Sequence, residues 1–263
     1  MAQAIRRVSV ERGQDPRQFA LVAFGGAGST HGCAVAEVLE MTTVLVPPYP
    51  GVWSAFGLLT SNYTYDHSRS VVVPLGSVEE GRLVQLFDEL EDQGRAKLVA
   101  AGFDPNQTTY HRYAELRYRG QSFEIRCPYP DPKALLPDRA IFDRLHAQEY
   151  GFSNPNEPLE LVNVGVVAEG EVPPVVFPEL LRGSQEPPNE AVKDERKLCW
   201  AGQWWDVPVY ERPRLMAGNQ LFGPCVVEQD DTTTVVLPHW RGEVLANGHL
   251  KLTYGPTQEE NDS

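Results

Sequence analysis

The stretch from residue 20 to residue 39 reads ALVAFGGAGSTHGCAVAEVL and decides the fold of the first part of the chain. The apolar run that enters it, Phe19 to Phe24, stops at four small residues, 25–28, and a helical pattern follows from about His31 to Glu40. Glycines let a backbone adopt positive φ and approach a ligand closely. The first N–H groups of a helix also point outward at the positive end of its dipole, where anions dock. We therefore predict a buried strand, a glycine turn and a helix.

The spacing of the glycines leaves the role of this turn open. It matches neither G-x-G-x-x-G nor G-x-x-x-x-G-K-[ST], so it supports neither a dinucleotide-binding fold nor a P-loop. A ligand-binding turn and a turn that only permits close helix–sheet packing both fit the pattern. His31 could accept a proton or bond a phosphate or carbonyl, or it could bond the turn itself. Ser29 and Thr30 could be simple helix caps.

The neighbouring segments continue an alternation of helices and strands. Residues 1–11 form a predicted helix, residues 42–48 (TTVLVPP) a second buried strand, and residues 51–61 (GVWSAFGLLTS) a short apolar helix. Strands that alternate with helices are typical of α/β layering around a parallel sheet. We assign this architecture to residues 1–66.

The pattern changes after residue 66 to the order β-α-β-β-α-β. Ser77 and Glu80 have the spacing of a capping box, and Asp138 is placed to cap a second helix. The first helix carries apolar residues at helical spacing, namely Leu83, Leu86, Phe87, Leu90 and Leu98. This order predicts a ferredoxin-like α+β domain over residues 67–170.

The last third of the chain has a different composition. Residues 171–196 are rich in proline and charge and are predicted to be an exposed linker. Short β segments over residues 197–255, with a hairpin turn at Asn247-Gly248, predict a small antiparallel barrel or sandwich. The polar tail, residues 256–263, is predicted to be disordered.

Bulk composition excludes several classes of function. The 263 residues carry a net charge of −13, which repels nucleic acid and anionic membranes. The four cysteines form no C-x-x-C pair, so we expect reduced, buried thiols rather than a zinc site or a disulfide framework. We see neither a signal-peptide core nor an apolar run of the ~20 residues that a membrane span needs. We therefore expect a cytoplasmic protein.

Four stretches together resemble the C-terminal half of the hydantoinase A/5-oxoprolinase family, which includes ATP-dependent acetone and acetophenone carboxylase subunits. They are residues 6–71, 116–125 (LRYRGQSFEI), 150–166 (YGFSNPNEPLELVNVGV) and 223–242 (GPCVVEQDDTTTVVLPHWRG). In that family the first stretch closes an ATP-binding module of the acetate kinase, sugar kinase, heat-shock chaperone and actin type. The resemblance thus implies that residues 1–66 end an actin-like ATP-binding lobe.

The resemblance also implies roles for the residues of the turn. Gly25, Gly26, Ala27, Gly28, Ser29 and Thr30 correspond to the family's adenosine motif and are expected to contact ATP. His31 falls on the family's His and is the candidate catalytic residue. Ser29 and Thr30 replace a Pro and a large apolar residue that are usual there. No metal-ligating residue is assigned, because the ligands of Mg²⁺ and the phosphates lie mainly in the family's first half.

That first half, with its Asp-x-Gly-Gly-Thr type motif, has no counterpart in these residues. We therefore expect a separately made subunit that is inactive alone. Its expected partners are an N-terminal-half hydantoinase A-like subunit and a hydantoinase B-like subunit. The assembly would phosphorylate a carbonyl, lactam or enol oxygen before hydrolysis or carboxylation. The alternative is a non-catalytic scaffold subunit of the same type of complex.

Other polar and aromatic positions carry weaker predictions. Gln121 and Ser122 match a family motif, with a hairpin turn as the alternative role. Asp66 and His67 could face the nucleotide cleft or end an element, and Trp204 and Trp205 could form a partner surface or pack in the core. The acidic and hydroxyl run could hold a metal or simply form a strand; it comprises Glu228, Asp230, Asp231 and Thr232 to Thr234.

Overall fold

The chain folds as a mixed α/β protein with two compact units. The structure is a computed structural model, and it describes residues 1–79, 81–129 and 136–255. Unit 1 combines residues 1–60 with those from residue 175 onward, and unit 2 is the intervening segment, residues 61–174. The described residues form three sheets, two in unit 1 and one in unit 2.

Among the described residues, the α-helices lie within the first 150 positions, and the last strands follow without an α-helix between them. The helices are α1 (Ala2–Val8), α2 (Gly28–Val38), α3 (Trp53–Thr60), α4 (Arg82–Ala100) and α5 (Arg139–Tyr150). The strands are β1 (Leu21–Val22), β2 (Thr43–Val46), β3 (Tyr63–Pro74), β4 (Thr108–Tyr118), β5 (Ile125–Pro128), β6 (Leu159–Gly170), β7 (Val192–Trp200), β8 (Gln203–Glu211), β9 (Gln220–Phe222), β10 (Cys225–Gln229), β11 (Thr232–Val236), β12 (Trp240–Val244) and β13 (Leu250–Tyr254).

The five-stranded sheet of unit 1 joins the two ends of the described chain. Its order is β1-β2-β13-β12-β9, and only β1 and β2 run parallel. The second sheet has the order β11-β10-β8-β7. Apolar residues of α2, β2, β10, β11 and β13 share one core, in which Val44, Leu221 and Leu252 are fully buried.

This sheet differs from the predicted domain boundaries. The prediction set residues 1–66 apart from a separate β domain at residues 197–255. In the structure β2 pairs with β13, with Val44 opposite Leu252 and Val46 opposite Leu250. Val44 and Val46 are fully buried, and the strand that pairs with them, β13, lies near the C-terminal end of the described chain. The predicted parallel sheet is accordingly limited to one pair of strands.

The predicted bounds of the linker, residues 171–196, agree only in part with the structure. Residues 171–188 form no helix or strand, apart from a single bridge between Arg182 and Ala217. The segment is nevertheless anchored within unit 1, because the Leu180 N–H donates to Ala246 O at 2.8 Å. Strand β7 begins at Val192, inside the predicted linker. The predicted disordered tail lies outside the described residues.

Unit 2 has the predicted element order β-α-β-β-α-β, formed by β3, α4, β4, β5, α5 and β6. Its antiparallel sheet has the order β3-β6-β4-β5, so each strand–helix–strand crossover skips one strand. A ferredoxin-like sheet keeps its first and third strands in the centre. Here the second and fourth occupy the centre, because β6 pairs along its whole length with both β3 and β4.

The predicted apolar face of α4 is confirmed, while the start of this helix differs from the prediction. The five predicted apolar residues are all buried. The helix begins at Arg82 and not behind the predicted capping box, since Gly81 with φ +76° is its N-cap. Glu80 lies outside the described residues. The cap of α5 is confirmed, because Asp138 Oδ1 accepts from the Ala140 N–H at 2.8 Å.

Three of the four cysteines are buried and the fourth is not. Cys33, Cys127 and Cys225 lie in the cores, and burial raises the pKa of each thiol to about 12. Cys199 on β7 is exposed, contrary to the expectation of four buried thiols. Across the described ranges, no helix combines the length and the apolar character needed to cross a bilayer.

Candidate functional site

The glycine turn connects β1 to α2, as its sequence predicts. The strand itself differs from the prediction of a buried strand from Phe19 to Phe24, because β1 spans only Leu21–Val22 and Val22 is 46% exposed. Gly25 has φ +84°, which favours glycine, and its N–H donates to Pro50 O at 2.7 Å. Helix α2 starts at Gly28, and Ala27 is its N-cap without a side-chain cap. The turn therefore occupies residues 25–27, directly before the first helical N–H groups.

The surroundings of the glycines separate the two interpretations of the turn. A Cβ at Gly25 or Gly26 would meet no atom within 4 Å. At Gly32, inside α2, it would lie 3.1 Å from Ala23 Cβ and 3.2 Å from a methyl carbon of Val44. Close helix–sheet packing therefore requires Gly32, whereas Gly25 and Gly26 face open space. Close packing therefore does not explain Gly25 and Gly26, and their open side is accessible to a ligand.

Strand β11 holds the glycine turn in place through two hydrogen bonds. The Thr232 hydroxyl donates to Gly26 O at 2.9 Å, and the Thr30 hydroxyl donates to Thr233 O at 2.8 Å. Both contacts join residues about two hundred positions apart in the chain. The hydroxyl-rich strand thus fixes the backbone on either side of Ala27.

The acidic turn between β10 and β11 holds the loop that follows β2. Asp231 Oδ2 accepts from the Gly51 N–H at 2.7 Å, and its Oδ1 accepts from Gln229 Nε2 at 2.7 Å. The same amide nitrogen donates to Pro48 O at 3.0 Å. Because Pro50 O in this loop accepts from Gly25, the acidic turn indirectly supports the glycine turn.

These contacts favour a structural role for the acidic and hydroxyl run over a metal site. Glu228 forms ion pairs with Lys193 and Arg196, and the hydrogen bonds of Lys193 and Arg196 hold the pKa of Glu228 below its usual value. Asp231 uses both oxygens within unit 1. Over the described ranges, no group of three or more His, Cys, Asp or Glu side chains is placed to hold a metal ion.

The other turn residues differ in what they present to a ligand. Gly26 and Ala27 are exposed, and so is His31 in the first turn of α2. Ser29 is fully buried, and its hydroxyl finds no hydrogen-bond partner among the described residues. Ser29 therefore cannot touch a ligand on the open side, which corrects the predicted contact. The Thr30 hydroxyl is engaged with β11, so its role is to hold the turn.

The residues ranked lower by sequence have mainly structural contacts. Gln121 Oε1 accepts from the Tyr118 N–H at 3.1 Å, and its Nε2 lies 3.0 Å from Nε2 of the buried His146. His146 Nδ1 lies 2.7 Å from Phe152 O and must donate to it. His146 Nε2 is then the acceptor for Gln121. This pair closes the turn that follows β4.

Asp66 and His67 lie inside β3, paired with β6. Asp66 accepts from the Tyr113 hydroxyl at 2.5 Å and from Arg126 at 2.8 Å. Trp204 is 66% exposed on β8, whereas Trp205 packs beside the buried Val207. The exposed ring of the tryptophan pair is thus the one at position 204.

Sequence reasoning missed Arg212, which borders a cavity of about 340 Å³ beside the 48–52 loop. Its guanidinium is buried, and Nη2 donates to Gly248 O at 2.8 Å. Burial lowers the pKa of Arg212 to about 10, which the nearby Asp231 partly offsets. The sequence offers little indication of this burial, because Arg212 lies in the segment ERPR, whose charges and proline are typical of a surface turn.

Comparison with known proteins agrees with the order of these elements. The model for hydantoinase/oxoprolinase matches residues 1–67, and the model for the hydantoinase/oxoprolinase C-terminal domain matches residues 77–250. The chain belongs to the hydantoinase/oxoprolinase family. The resemblance stated from the sequence is therefore confirmed.

Two relatives of this family member are much longer proteins. Caprolactamase subunit alpha of Pseudomonas jessenii is 34% identical over 97% of this chain and 38% of its own length. 5-Oxoprolinase 1 of Arabidopsis thaliana is 27% identical over 97% of this chain and 20% of its own. The chain thus spans well under half the length of these relatives.

Solved structures support the fold. The crystal structure of the ATP-dependent caprolactamase from Pseudomonas jessenii matches with TM-score 0.73 and 31% identity, over 97% of this chain and 38% of that one. The nucleotide-free structure of acetone carboxylase, from work on ATP-dependent acetone carboxylation, matches with TM-score 0.79 and 22% identity over the same shares. The second likeness supports the fold alone.

Proposed function

We propose that this chain supplies the adenosine side of an ATP site in a multi-subunit enzyme of the hydantoinase, oxoprolinase or ketone carboxylase type. The observation that carries the proposal is the open space above Gly25 and Gly26. The ATP-dependent caprolactamase from Pseudomonas jessenii, whose structure is 31% identical to this chain, supports nucleotide as the ligand.

The residues of the turn fit an adenosine group. Gly25, Gly26 and Ala27 present almost no side-chain atoms, so a flat purine and its ribose can lie directly against the backbone. The turn is held by Pro50, Thr30 and Thr232 and does not need to rearrange when a ligand arrives. Gly28 lies beside Ala23, where a Cβ would be at an ordinary contact distance, 3.5 Å, from the Ala23 carbonyl carbon.

ATP, when bound, supplies the phosphoryl group that makes a carbonyl, lactam or enol oxygen a good leaving group. Hydrolysis of a cyclic amide or carboxylation of a ketone would follow. Positioning of the phosphoryl group needs several charged groups at once. We assign the phosphate and Mg²⁺ ligands mainly to an N-terminal-half hydantoinase A-like partner, and the second chemical step to a hydantoinase B-like partner. The chain alone would bind nucleotide weakly and not turn over.

His31 is the candidate for a chemical role on this side of the site. Its side chain is exposed one turn into α2, on the helix that begins at the glycine turn. An imidazole there could hold or accept a proton from the reacting group. His31→Gln should then lower turnover of the assembled enzyme while its ATP affinity changes less than threefold. Equal losses of turnover and affinity would instead assign His31 to binding.

The test of nucleotide binding uses Gly26→Asp in the complex with the partner subunits. Gly26 has no positive φ and has free space around it, so aspartate fits without backbone strain and places a carboxylate at the adenosine position. ATP affinity measured by isothermal titration should fall at least tenfold. Gly76→Asp is the matched control, because Gly76 in unit 2 is equally open and exposed.

Three outcomes would count against the proposal. Normal ATP affinity of the Gly26→Asp complex would favour the alternative, a scaffold subunit that uses the fold only for assembly. Tight binding and turnover by the isolated chain would contradict the assignment of the phosphate site to a partner. Loss of affinity in both Gly26→Asp and Gly76→Asp would show a general effect of added charge.

A further inference from the structure

A cavity of about 340 Å³ lies beside the 48–52 loop in unit 1, and the proposed nucleotide role does not use it. Two of its lining residues, Arg212 and Leu215, are buried, whereas Tyr49 and Val52 are more than half exposed. The cavity therefore joins buried residues to the surface. Because a water molecule takes up about 30 Å³ in the liquid, this volume admits a small molecule of about ten non-hydrogen atoms.

The buried end of the cavity carries a cation with an incomplete set of partners. Arg212 Nη2 donates to Gly248 O at 2.8 Å, whereas Nη1 has no hydrogen-bond partner among the described residues. Asp231 is near enough to raise the pKa of Arg212, but its two oxygens accept from Gly51 and Gln229. A buried guanidinium without a bonded carboxylate is costly to the fold.

A ligand carboxylate would supply the missing partner of Arg212. Charge-assisted hydrogen bonds between a guanidinium and a carboxylate are stronger than bonds between neutral groups. Since Nη1 is itself buried, the guanidinium must rotate slightly to meet a ligand. The hydrogen bond to Gly248 is the one bond that opposes this rotation among the described residues.

The exposed end of the cavity carries the opposite charge. Asp230 lines the cavity and is exposed to solvent. Much of the remaining lining is apolar and includes Val52 and Leu180. A doubly charged anion such as phosphate would meet one cation and the carboxylates of both Asp230 and Asp231, so this lining disfavours it. A molecule with a carboxylate at one end, a hydrocarbon chain and an ammonium group at the other end matches all three parts.

We propose that this cavity binds an ω-amino acid, with its carboxylate at Arg212, its methylene chain on the apolar lining and its ammonium group at Asp230. The ligand would contact the same loop that holds the glycine turn, since Pro50 O accepts from the Gly25 N–H. Only the source of the ligand rests on the proposed function. Hydrolysis of the C–N bond of a cyclic amide consumes water and leaves the amine and the carboxylate at opposite ends of one chain.

The experiment titrates this chain with 5-aminopentanoate as the probe. Isothermal titration should give a dissociation constant of about 1 mM or tighter. Pentanoate lacks the amine, pentylamine lacks the carboxylate, and norvaline is an isomer that carries both groups on one carbon. Each of these three compounds should bind at least tenfold more weakly than 5-aminopentanoate.

Variants at the two ends of the cavity test the assigned contacts. Arg212→Met removes the buried charge and keeps a long side chain, a change that folded proteins often tolerate, and should weaken binding at least tenfold. Asp230→Asn should abolish the preference for 5-aminopentanoate over pentanoate. Because Asp230 is exposed, this variant decides the matter even where Arg212→Met fails to fold. Asp206→Asn on β8, exposed and outside the cavity lining, is the matched control and should bind like wild type.

Several results would overturn the proposal. They are the failure of the wild-type chain to bind 5-aminopentanoate, equal binding of pentanoate, pentylamine or norvaline, unchanged binding by Arg212→Met, and an unchanged preference in Asp230→Asn. These titrations need neither ATP nor a partner subunit. A chain that binds 5-aminopentanoate, in a complex whose ATP affinity ignores Gly26→Asp, would retain the cavity site and reject the nucleotide role. The opposite pair of results would reject the cavity site alone.

Discussion

Substitution of Gly51 by alanine should destabilise unit 1 strongly, although it adds one methyl group. A Cβ at Gly51 would lie 2.5 Å from Asp231 O, 2.8 Å from Asp231 Cβ and 2.9 Å from Oδ2. The nearest atom is backbone in a tight turn between two paired strands, so no side-chain rotation relieves the clash. The loop and the turn must separate, and the 2.7 Å bond from the Gly51 N–H to Asp231 breaks.

The magnitude follows from the two contributions. Overpacking of a close contact costs about 1–3 kcal/mol. Loss of a hydrogen bond to a charged group costs about 1.5–3 kcal/mol. We expect the free energy of unfolding of unit 1 to fall by about 3–5 kcal/mol. Gly57→Ala in α3 is the matched control, because its Cβ would meet nothing within 4 Å. It should stabilise by about 0.5–1 kcal/mol, as alanine is the better helix former.

Urea unfolding followed by tryptophan fluorescence measures this change selectively. The five tryptophans are Trp53, Trp200, Trp204, Trp205 and Trp240, and all lie in unit 1. The signal therefore reports unit 1 alone, whatever happens in residues 61–174. A Gly51→Ala chain whose free energy of unfolding lies within about 1 kcal/mol of the wild-type value would refute the steric argument. A Gly57→Ala chain that loses as much stability as the Gly51→Ala chain would also refute it.

Unit 2 offers two further predictions. Asp138→Ala removes the cap of α5 and should lower the free energy of unfolding of unit 2 by about 1 kcal/mol, measured by circular dichroism. Asp138→Asn should keep most of the stability, because asparagine is also a good N-cap residue. Burial, with the hydrogen bond to Asp66, raises the pKa of Tyr113 to about 12. Because this folded-state pKa lies above the unfolded value, unit 2 should lose stability as the pH rises from about 10 to 12. Ultraviolet titration of Asp66→Asn should show a lower Tyr113 pKa, and an unchanged one would count against the hydrogen bond.

Local patterns in the sequence predicted the local structure well. The apolar face of α4 follows from helical periodicity, and the N-cap of α5 follows from Asp138. The start of α4 was wrong because Gly81 adopts a left-handed conformation ahead of Arg82. A capping-box pattern at Ser77 does not reveal that competing conformation.

Pairing between distant residues was not predictable from one sequence. The alternation of apolar and polar residues in β13 indicates a strand, but this pattern does not indicate that the strand pairs with β2. The same holds for the candidate site. The glycine turn was found from its residues, whereas its support by Thr232 and Asp231 depends on contacts across about two hundred residues. Arg212 was missed for a related reason, since its burial depends on the distant 48–52 loop and Gly248.

The support of the glycine turn by β11 sets an order of events during synthesis. Unit 2 is continuous in the chain and holds all its strands by residue 170, so it can fold while later residues are still being translated. The turn at Gly26 must wait for Thr232 to leave the ribosome. Nascent chains halted before β11 should thus carry a finished unit 2 beside a loose, protease-sensitive first segment, and the ability to hold a ligand should arrive last.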